Sequence, residues 1–318
     1  MVARDPTTLL KRWYPHVNRC TFKMHEIAAR LLEGRPAPRS AVFLAEAPGG
    51  FLACARGLWP DCEMACMSSE APGAIAFSAP DDVSILRGLP FDSDLRSDAV
   101  ERELLRRCGA AGADLVTADG GAHVDDLDSA EQVGTPLALA QASAALLLLA
   151  KGGALVLKVF EGCTLVTRQL FEVLRGQFDR TMLLKPTTSK PCNSERYVVA
   201  LGLRDPLSAR SAAGALRAAC RGCAAPAAGG GGRGGGESDN PGARLSPCSS
   251  PSSPLASLRY VSDLGVEVSD LTRTAFDRMA DEQASAIHTL IGALCRPHSL
   301  RPLAVEEARA IEDILMVR

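Results

Sequence analysis

Short apolar runs separated by stretches of helical spacing dominate the first two thirds of the chain. From residue 40 onward the runs AVFLAEA, EMACM, VSILRG, ADLVTADGG, GALVLKVFEG, RTMLLK and ERYVVALGL each have the length and aliphatic character of a strand. Between them, residues 99–108, 136–150 and 165–175 place Leu and Ala at helical intervals. This alternation predicts repeated βαβ units, hence an α/β fold with a mainly parallel sheet and helices on both faces. Only KPTTSKPCNS separates the last two runs. That is too short for a crossover helix, so the two are expected as an antiparallel hairpin closing one edge.

The most apolar stretch, PLALAQASAALLLLA at 136–150, contains Gln141 and Ser143 and ends at Lys151-Gly-Gly. It falls short of the roughly twenty residues a bilayer needs, so it is expected as a buried helix with a glycine stop, without a membrane span. Gly, Ser and Pro crowd residues 222–257, a composition that cannot bury enough apolar surface to offset the entropy of ordering. A disordered linker is expected there. Beyond it Leu271, Ala275, Met279, Ile287, Leu290, Ile291 and Leu294 recur at roughly helical spacing, and residues 305–316 follow the same pattern. They predict a small helical appendage. No internal repeat is visible.

Hydrophobic residues at 47% and charged residues at 23% of 318 positions fit a folded, soluble chain rather than a disordered or fibrous one. The formal net charge of -2 excludes a protein that coats nucleic acid through gross charge. Charge is uneven, because residues 1–60 hold nine Lys/Arg against four Asp/Glu. Lys11, Arg12, Arg19, Arg35 and Arg39, with Trp13 and Tyr14, suit a groove that tracks phosphates and stacks a base, or else a solvated basic segment. Eleven cysteines, an odd count, together with a first stretch lacking an apolar run, predict reduced thiols in an intracellular compartment, nucleus or cytoplasm. Cys54, Cys66 and Cys163 read as core positions. The pairs Cys62/Cys66 and Cys220/Cys223 lack a second pair at zinc spacing, so no structural metal is expected.

The run AVFLAEA leads into Pro48-Gly49-Gly50-Phe51 and a helical stretch, putting glycines at the carboxyl end of the first strand, where open α/β sheets bind ligands. The string is neither GxGxxG nor GxxxxGK(S/T). A smaller adenosine ligand with a carboxylate tail fits better than a dinucleotide or a triphosphate. Glycines admit its close approach and helix-start amides can hold its carboxylate; a tight turn is the plain alternative. Asp119 ends the fourth run, Lys158 the fifth, and Glu195 opens the seventh, so three ionisable residues converge on one edge of the sheet. A Lys between Leu157 and Val159 is costly to bury unless paired or deprotonated, and desolvation is expected to lower its pKa toward that of a base. An edge salt bridge is the alternative.

These strings resemble those of the FtsJ-like RNA ribose 2'-O-methyltransferases over residues 19–204. RCTFKMHEI (19–27), AEAPGGF (45–51), ADGG (118–121), LKVFEG (157–162) and SKPCNSERYVV (189–199) stand in the family's order. KPTTSKPCNSERYVVALGL looks most like the messenger-RNA cap 2'-O-methyltransferase branch. The resemblance implies a Rossmann-like S-adenosylmethionine-dependent methyltransferase fold with a seven-stranded sheet. It implies transfer of a methyl group from S-adenosyl-L-methionine to a ribose 2'-hydroxyl, with no metal. The family's catalytic tetrad falls on Lys23, Asp119, Lys158 and Glu195. In it Lys158 deprotonates or steers the hydroxyl, Asp119 and Glu195 set its charge state, and Lys23 completes the cluster. Cofactor contacts fall on Pro48, Gly49, Gly50, Phe51 and Asp119. Lys185, Ser189 and Lys190, in the hairpin before Glu195, are expected at the RNA. The implied partner is RNA, capped mRNA favoured, rather than DNA or a membrane.

The chain departs from the ribosomal members in two places. Met67-Ser68-Ser69-Glu70 stands where they carry an acid just after the second strand, and GLPFDSD replaces their Gly-Asp-Phe-x-Asp pattern. Asp92 is carried over as an adenosine contact, with Asp94 an equal stand-in. No guanine-stacking aromatic pair is obvious. The alternatives are the same chemistry on rRNA or tRNA, and a non-catalytic methyltransferase-like RNA-binding module, against which the intact tetrad residue types argue. His25 and His123 take no role. The expected organisation is 1–39 as a basic helical segment bearing Lys23, 40–205 as the methyltransferase domain, 206–257 as the linker and 258–318 as the appendage.

Overall fold

All seven apolar runs become strands of a single sheet in the computed structural model, which describes residues 18–31, 35–77, 82–108, 112–121, 129–190, 193–223, 264 and 266–294. They are β1 (Ser40–Leu44), β2 (Glu63–Cys66), β3 (Ser84–Ile85), β4 (Ala113–Ala118), β5 (Leu149–Val159), β6 (Phe178–Leu184) and β7 (Arg196–Leu203), ordered β3-β2-β1-β4-β5-β7-β6. β7 is antiparallel to β5 and β6, whereas the remaining pairings are parallel. The expected hairpin closes one edge, with β7 inserted inside β6. β1 and β4 lie side by side, Leu44 opposite Ala118. From them the strand order departs in opposite directions, which makes their carboxyl ends the switch-point crevice of an open α/β sheet.

The helices are α1 (Arg19–Leu31), α2 (Gly50–Leu58), α3 (Asp98–Cys108), α4 (Ala130–Leu148), α5 (Leu165–Gln177), α6 (Pro206–Gly222) and α7 (Asp270–Leu294). Strand alternation gives the sheet a core on each face. Ala41 and Phe43 of β1 join Met24, Ile27, Phe51, Leu52 and Tyr197 on one side. Val42 and Leu44 join Leu139, Leu146, Leu170 and Leu216 on the other. α4 is apolar nearly all round and is buried accordingly; no described helix is long and apolar enough to cross a membrane. It starts six residues before the expected 136 because Pro136, which reads as a start signal, lies inside the helix.

Residues 206–222, placed within the expected 206–257 linker, form α6 and pack into the domain. Pro206 opens the helix, and the Asp205 carboxylate caps it, accepting from Leu207 N at 3.0 Å and Ser208 N at 3.1 Å. Ala209, Ala213 and Leu216 are buried. Arg217 is 4% exposed and donates to both carboxylate oxygens of Glu101 on α3 and, through Nη1, to Leu95 O at 2.8 Å. Ser143 of α4 donates to the same carboxylate at 2.7 Å. One buried ion pair thus ties three helices together. The rest of the expected linker, residues 224–257, and the 305–316 helix lie outside the described residues, as do Lys11, Arg12, Trp13, Tyr14 and His123.

Removing the guanidinium strands a buried carboxylate, which costs about 3–5 kcal/mol. Arg217→Met is expected to lose that much unfolding free energy in urea, and adding Glu101→Gln to recover most of it. A single variant within about 0.5 kcal/mol of wild type contradicts this role.

Candidate active site

Asn18 caps α1, its Oδ1 accepting from Cys20 N at 2.8 Å and Thr21 N at 3.3 Å. Met24, Ile27, Ala28 and Leu31 form the buried stripe, and Lys23 lies on that stripe too. A buried ammonium needs a partner; Lys23 Nζ donates to Glu195 Oε1. Glu195, in the residue before β7, also accepts from Ser189 Oγ at 3.0 Å. Its other oxygen lies 3.5 Å from Lys158 Nζ, near the end of β5. Lys158 Nζ lies 3.5 Å from Asp119 Oδ1 and donates to Asp119 O at 3.2 Å, just past β4. Tyr197 completes the set by donating its hydroxyl to Asp119 Oδ1 at 2.7 Å. The four tetrad positions therefore come together as a continuous chain, Lys23, Glu195, Lys158, Asp119.

Two ammonium and two carboxylate groups make this cluster neutral overall, and neutrality makes its burial tolerable. The expectation that desolvation lowers the Lys158 pKa is corrected here. Burial does pull it down, but the Asp119 and Glu195 carboxylates outweigh burial and the net shift is upward. Burial likewise pushes Glu195 up, and the charges of Lys158 and Lys23 overcome it, leaving its pKa lowered. Tyr197 is held well above its ordinary pKa by burial and by the Asp119 and Glu195 charges. It is a neutral hydrogen-bond donor.

The glycine loop departs from expectation. The Glu46 carboxyl occupies the start of α2, accepting from Leu52 N at 2.8 Å; that amide is therefore engaged by the chain itself rather than free for a ligand carboxylate. Gly50 is required by packing. A Cβ there would strike Asn18 Oδ1 and lie 2.6 Å from Cys20 Cβ, so its bareness lets α1, and with it Lys23, close onto α2. Phe51 is a core residue, 1% exposed, its ring 5.7 Å from that of Tyr197. Gly49, with φ 110°, makes the turn itself. Across the crevice, Gly120 donates to Gln141 Oε1 at 2.8 Å, and a Cβ on Gly121 would come within 3.1 Å of Lys158 Nζ. Glu46 and Tyr197 were missed from the sequence; the signal for Glu46 is an acid inside an otherwise apolar run.

Toward the β2 and β3 side, Ser68 Oγ accepts from Ala47 N at 3.2 Å. Glu70 accepts from Gly88 N at 3.0 Å and Ser93 Oγ at 2.9 Å, so it buttresses the next loop. Asp94 is clamped by Arg96 at 2.8 Å, whereas Asp92 is exposed at the turn. In the β6–β7 loop Ser189 is turned inward onto Glu195, and Lys185 donates to Asn193 O and, at 3.4 Å, to Glu195 O. Both serve the site's frame, and Lys190 is the exposed member of the three. Thr187 fastens this loop to α1 through Glu26, at 2.8 and 3.1 Å. Described cysteines are free thiols, and Cys163, read as core, is exposed. It lies with Glu131 and Glu161 in the one group of described residues at metal-ligand spacing. Glu131 is already engaged in capping, accepting from Cys163 N and Thr164 N at 3.0 Å and from Thr164 Oγ1 at 2.6 Å.

A model of the FtsJ-like methyltransferase family matches residues 16–203, and the chain belongs to that family. It is similar to the cap-specific mRNA (nucleoside-2'-O-)-methyltransferase of Autographa californica nuclear polyhedrosis virus, 33% identical over 115 residues that cover 36% of this chain and 44% of that protein. It is also similar to cap-specific mRNA (nucleoside-2'-O-)-methyltransferase 1 of Mus musculus, 39% identical over 122 residues, covering 37% of this chain and 15% of that one. The matched region spans less than half the length of either relative. A solved structure from Plasmodium falciparum, provisionally named a ribosomal RNA methyltransferase, aligns over 58% of this chain and 97% of its own with a TM-score of 0.46 and 15% identity.

Glu46 supplies a test of the site's electrostatics. Burial first, then the Asp119 charge, raises its pKa from 4.5 to about 8, against the pull of the α2 amides. A carboxyl whose folded pKa is raised contributes stability that is fully present below about 4.5 and is lost as pH rises through about 8. Wild type is therefore expected to lose stability relative to Glu46→Gln across that window, by up to about 1.4 kcal/mol per pH unit. Urea unfolding of both proteins at pH 5 and pH 8 checks this; parallel pH profiles contradict it.

Proposed function

We propose that the protein transfers a methyl group from S-adenosyl-L-methionine to a ribose 2'-hydroxyl of RNA, near the 5' end of capped messenger RNA. The observation that carries the reading is the neutral chain Lys23, Glu195, Lys158, Asp119 at the carboxyl edge of the sheet, beside a glycine loop. The capped substrate rests on the relatives, whose names specify it. When bound, S-adenosyl-L-methionine supplies a methyl group already activated on a sulfonium. The residues present fit such a cation-bearing ligand. Buried Glu46 Oε2 has no hydrogen-bond partner among the described residues, the Glu46 carboxyl feels the Asp119 charge, and both flank the β1/β4 crevice. Pro48, Gly49 and Asp119 would hold the group, with Asp92 toward its adenosine.

Lys158 is an ammonium in the free protein, yet its contacts to the two carboxylates are long, 3.5 Å each. Lys23 and Tyr197 take the nearer positions. A further positive charge in the crevice therefore competes with the Lys158 proton and lowers its pKa. The neutral amine then accepts the proton that the 2'-hydroxyl releases as its oxygen gains the methyl, while Glu195 and Asp119 keep the amine aimed. Lys190, exposed in the β6–β7 loop, would meet phosphate.

Labelled methyl transfer to short capped and uncapped RNAs tests this. Lys158→Ala and Lys158→Arg are each expected to lower turnover about 10²–10⁴-fold with RNA binding retained, because Arg keeps the charge but cannot give up its proton. Transfer restricted to capped RNA supports the cap substrate, and transfer to structured uncapped RNA moves it to ribosomal or transfer RNA. A wild-type protein that binds RNA without transfer is a binding module, which overturns the reading.

A further inference from the structure

We infer that the segment 264–285, which lies beyond the family-matched region, is a working part of this active site, and that Gln283 is a positioning residue acting through Arg196 on Glu195 and Tyr197. The inference rests on the proposed function for its catalytic consequence and on contacts within the chain for its geometry.

The segment is fastened to α5 through Leu264, Val266, Ser269, Phe276 and Asp277. Gln169 reads its backbone from both ends of one amide, Oε1 accepting from Leu264 N at 2.7 Å and Nε2 donating to Val266 O at 2.6 Å. Ser269, which immediately precedes α7, donates its hydroxyl to Glu172 and its backbone N–H to the same oxygen at 2.9 Å. Phe276 is 1% exposed and meets Phe171 edge-on, centroids 5.7 Å apart. Its ring lies so close over Gly162 that any Cβ there would overlap it. Arg168 donates to Gly162 O at 2.6 Å and to Asp277 at 2.7 Å. These contacts grip the connection that leaves β5 four residues after Lys158.

About two turns along α7 from Phe276, Gln283 Oε1 accepts from Arg196 Nη2 at 3.1 Å. Arg196 is fully buried. Among the described residues its one other acceptor is Ser194 O at 3.4 Å, and its Nε has no partner there. Burial lowers its pKa against the charges of Glu161 and Glu131 nearby. A guanidinium this short of acceptors depends on each one it has. Without Gln283 the guanidinium keeps Ser194 O alone as acceptor, and in so buried a site its rearrangement is expected to disturb the start of β7 that bears it. Arg196 stands between Glu195, which holds Lys23 and Lys158, and Tyr197, which holds Asp119 and is in register with Lys158. Thus α7 touches the chain just after Lys158 and just after Glu195, straddling the two segments that bring those side chains together.

The test uses the full chain with Gln283→Leu, which keeps the volume and removes the acceptor, and Gln283→Glu, which restores one. Gln283→Leu is expected to lower kcat about tenfold or more with little change in the cofactor KM, to shift the pH dependence of kcat, and to speed hydrogen exchange at the amides of Arg196 and Tyr197. Gln283→Glu is expected to rescue all three. Unchanged exchange, or unchanged kcat and pH profile at equal thermal stability, overturns the inference. A variant whose kcat falls only in proportion to lost folded protein does so as well, because a merely structural contact leaves the pH profile in place. If wild type transfers no methyl to any RNA, the functional reading fails, while the exchange measurement still decides whether Gln283 holds the start of β7.

Discussion

Two ammonium and two carboxylate groups buried at the edge of one sheet can coexist only as a neutral, closely coupled set. Much of the surrounding structure follows from keeping that set together. Lys23 reaches it from a helix whose stripe would otherwise be wholly apolar. Asp119 and Lys158 reach it from the ends of adjacent strands, and Glu195 from the strand on the far side of Lys158. Displacing one charge leaves its partner desolvated and unpaired, so the supporting contacts around each member have energetic weight beyond their own hydrogen bonds.

Those supports come from unglamorous residues. Gly50 has no side chain where α1 must press against α2. Tyr197 supplies a neutral donor to Asp119 without adding charge, and Ser189 does the same for Glu195. Gln141, a polar interruption in the most apolar helix, holds the Gly120 amide under the crevice at 2.8 Å. Glu46 closes the start of α2 from within. Tyr197, Ser189, Gln141 and Glu46 each satisfy a backbone or carboxylate group that burial would otherwise leave costly.

The strands and the tetrad were legible because each rests on a local signal: an apolar run of strand length, or a charge placed at its end. Gln141 and Ser143 were visible as interruptions too. What escaped depends on contacts between distant segments. Residues 206–222 are rich in Ala, Ser, Arg and Gly, and it is contacts with distant segments, such as the buried pairing of Arg217 with Glu101, 116 positions away, that make them part of the core. The rise in the Lys158 pKa likewise needs both carboxylates at 3.5 Å; flanking apolar residues alone point the other way. Cys163 reads as core from its neighbours and is exposed because it follows the strand end, in a connection.

The one antiparallel strand has a geometric purpose. β4 and β5 run with their carboxyl ends at the crevice, so Asp119 and Lys158 must come at or just past strand ends. A residue on a third parallel strand would have to do the same, and then a further connection would leave from the crowded carboxyl edge. β7 runs the other way, so its start lies at that edge and its eight residues carry the chain off to the opposite side, about 26 Å away at roughly 3.3 Å per residue. Glu195 can therefore be delivered by the incoming β6–β7 loop, which Glu26 and Ser189 already tie to α1 and to the cluster. The antiparallel register also sets Tyr197 directly opposite Lys158. With Asp119 on the neighbouring strand's end, the phenol and the amine then converge on the same carboxylate from adjacent strands. Reversing one strand thus supplies both the second acid and the neutral donor that steadies the first.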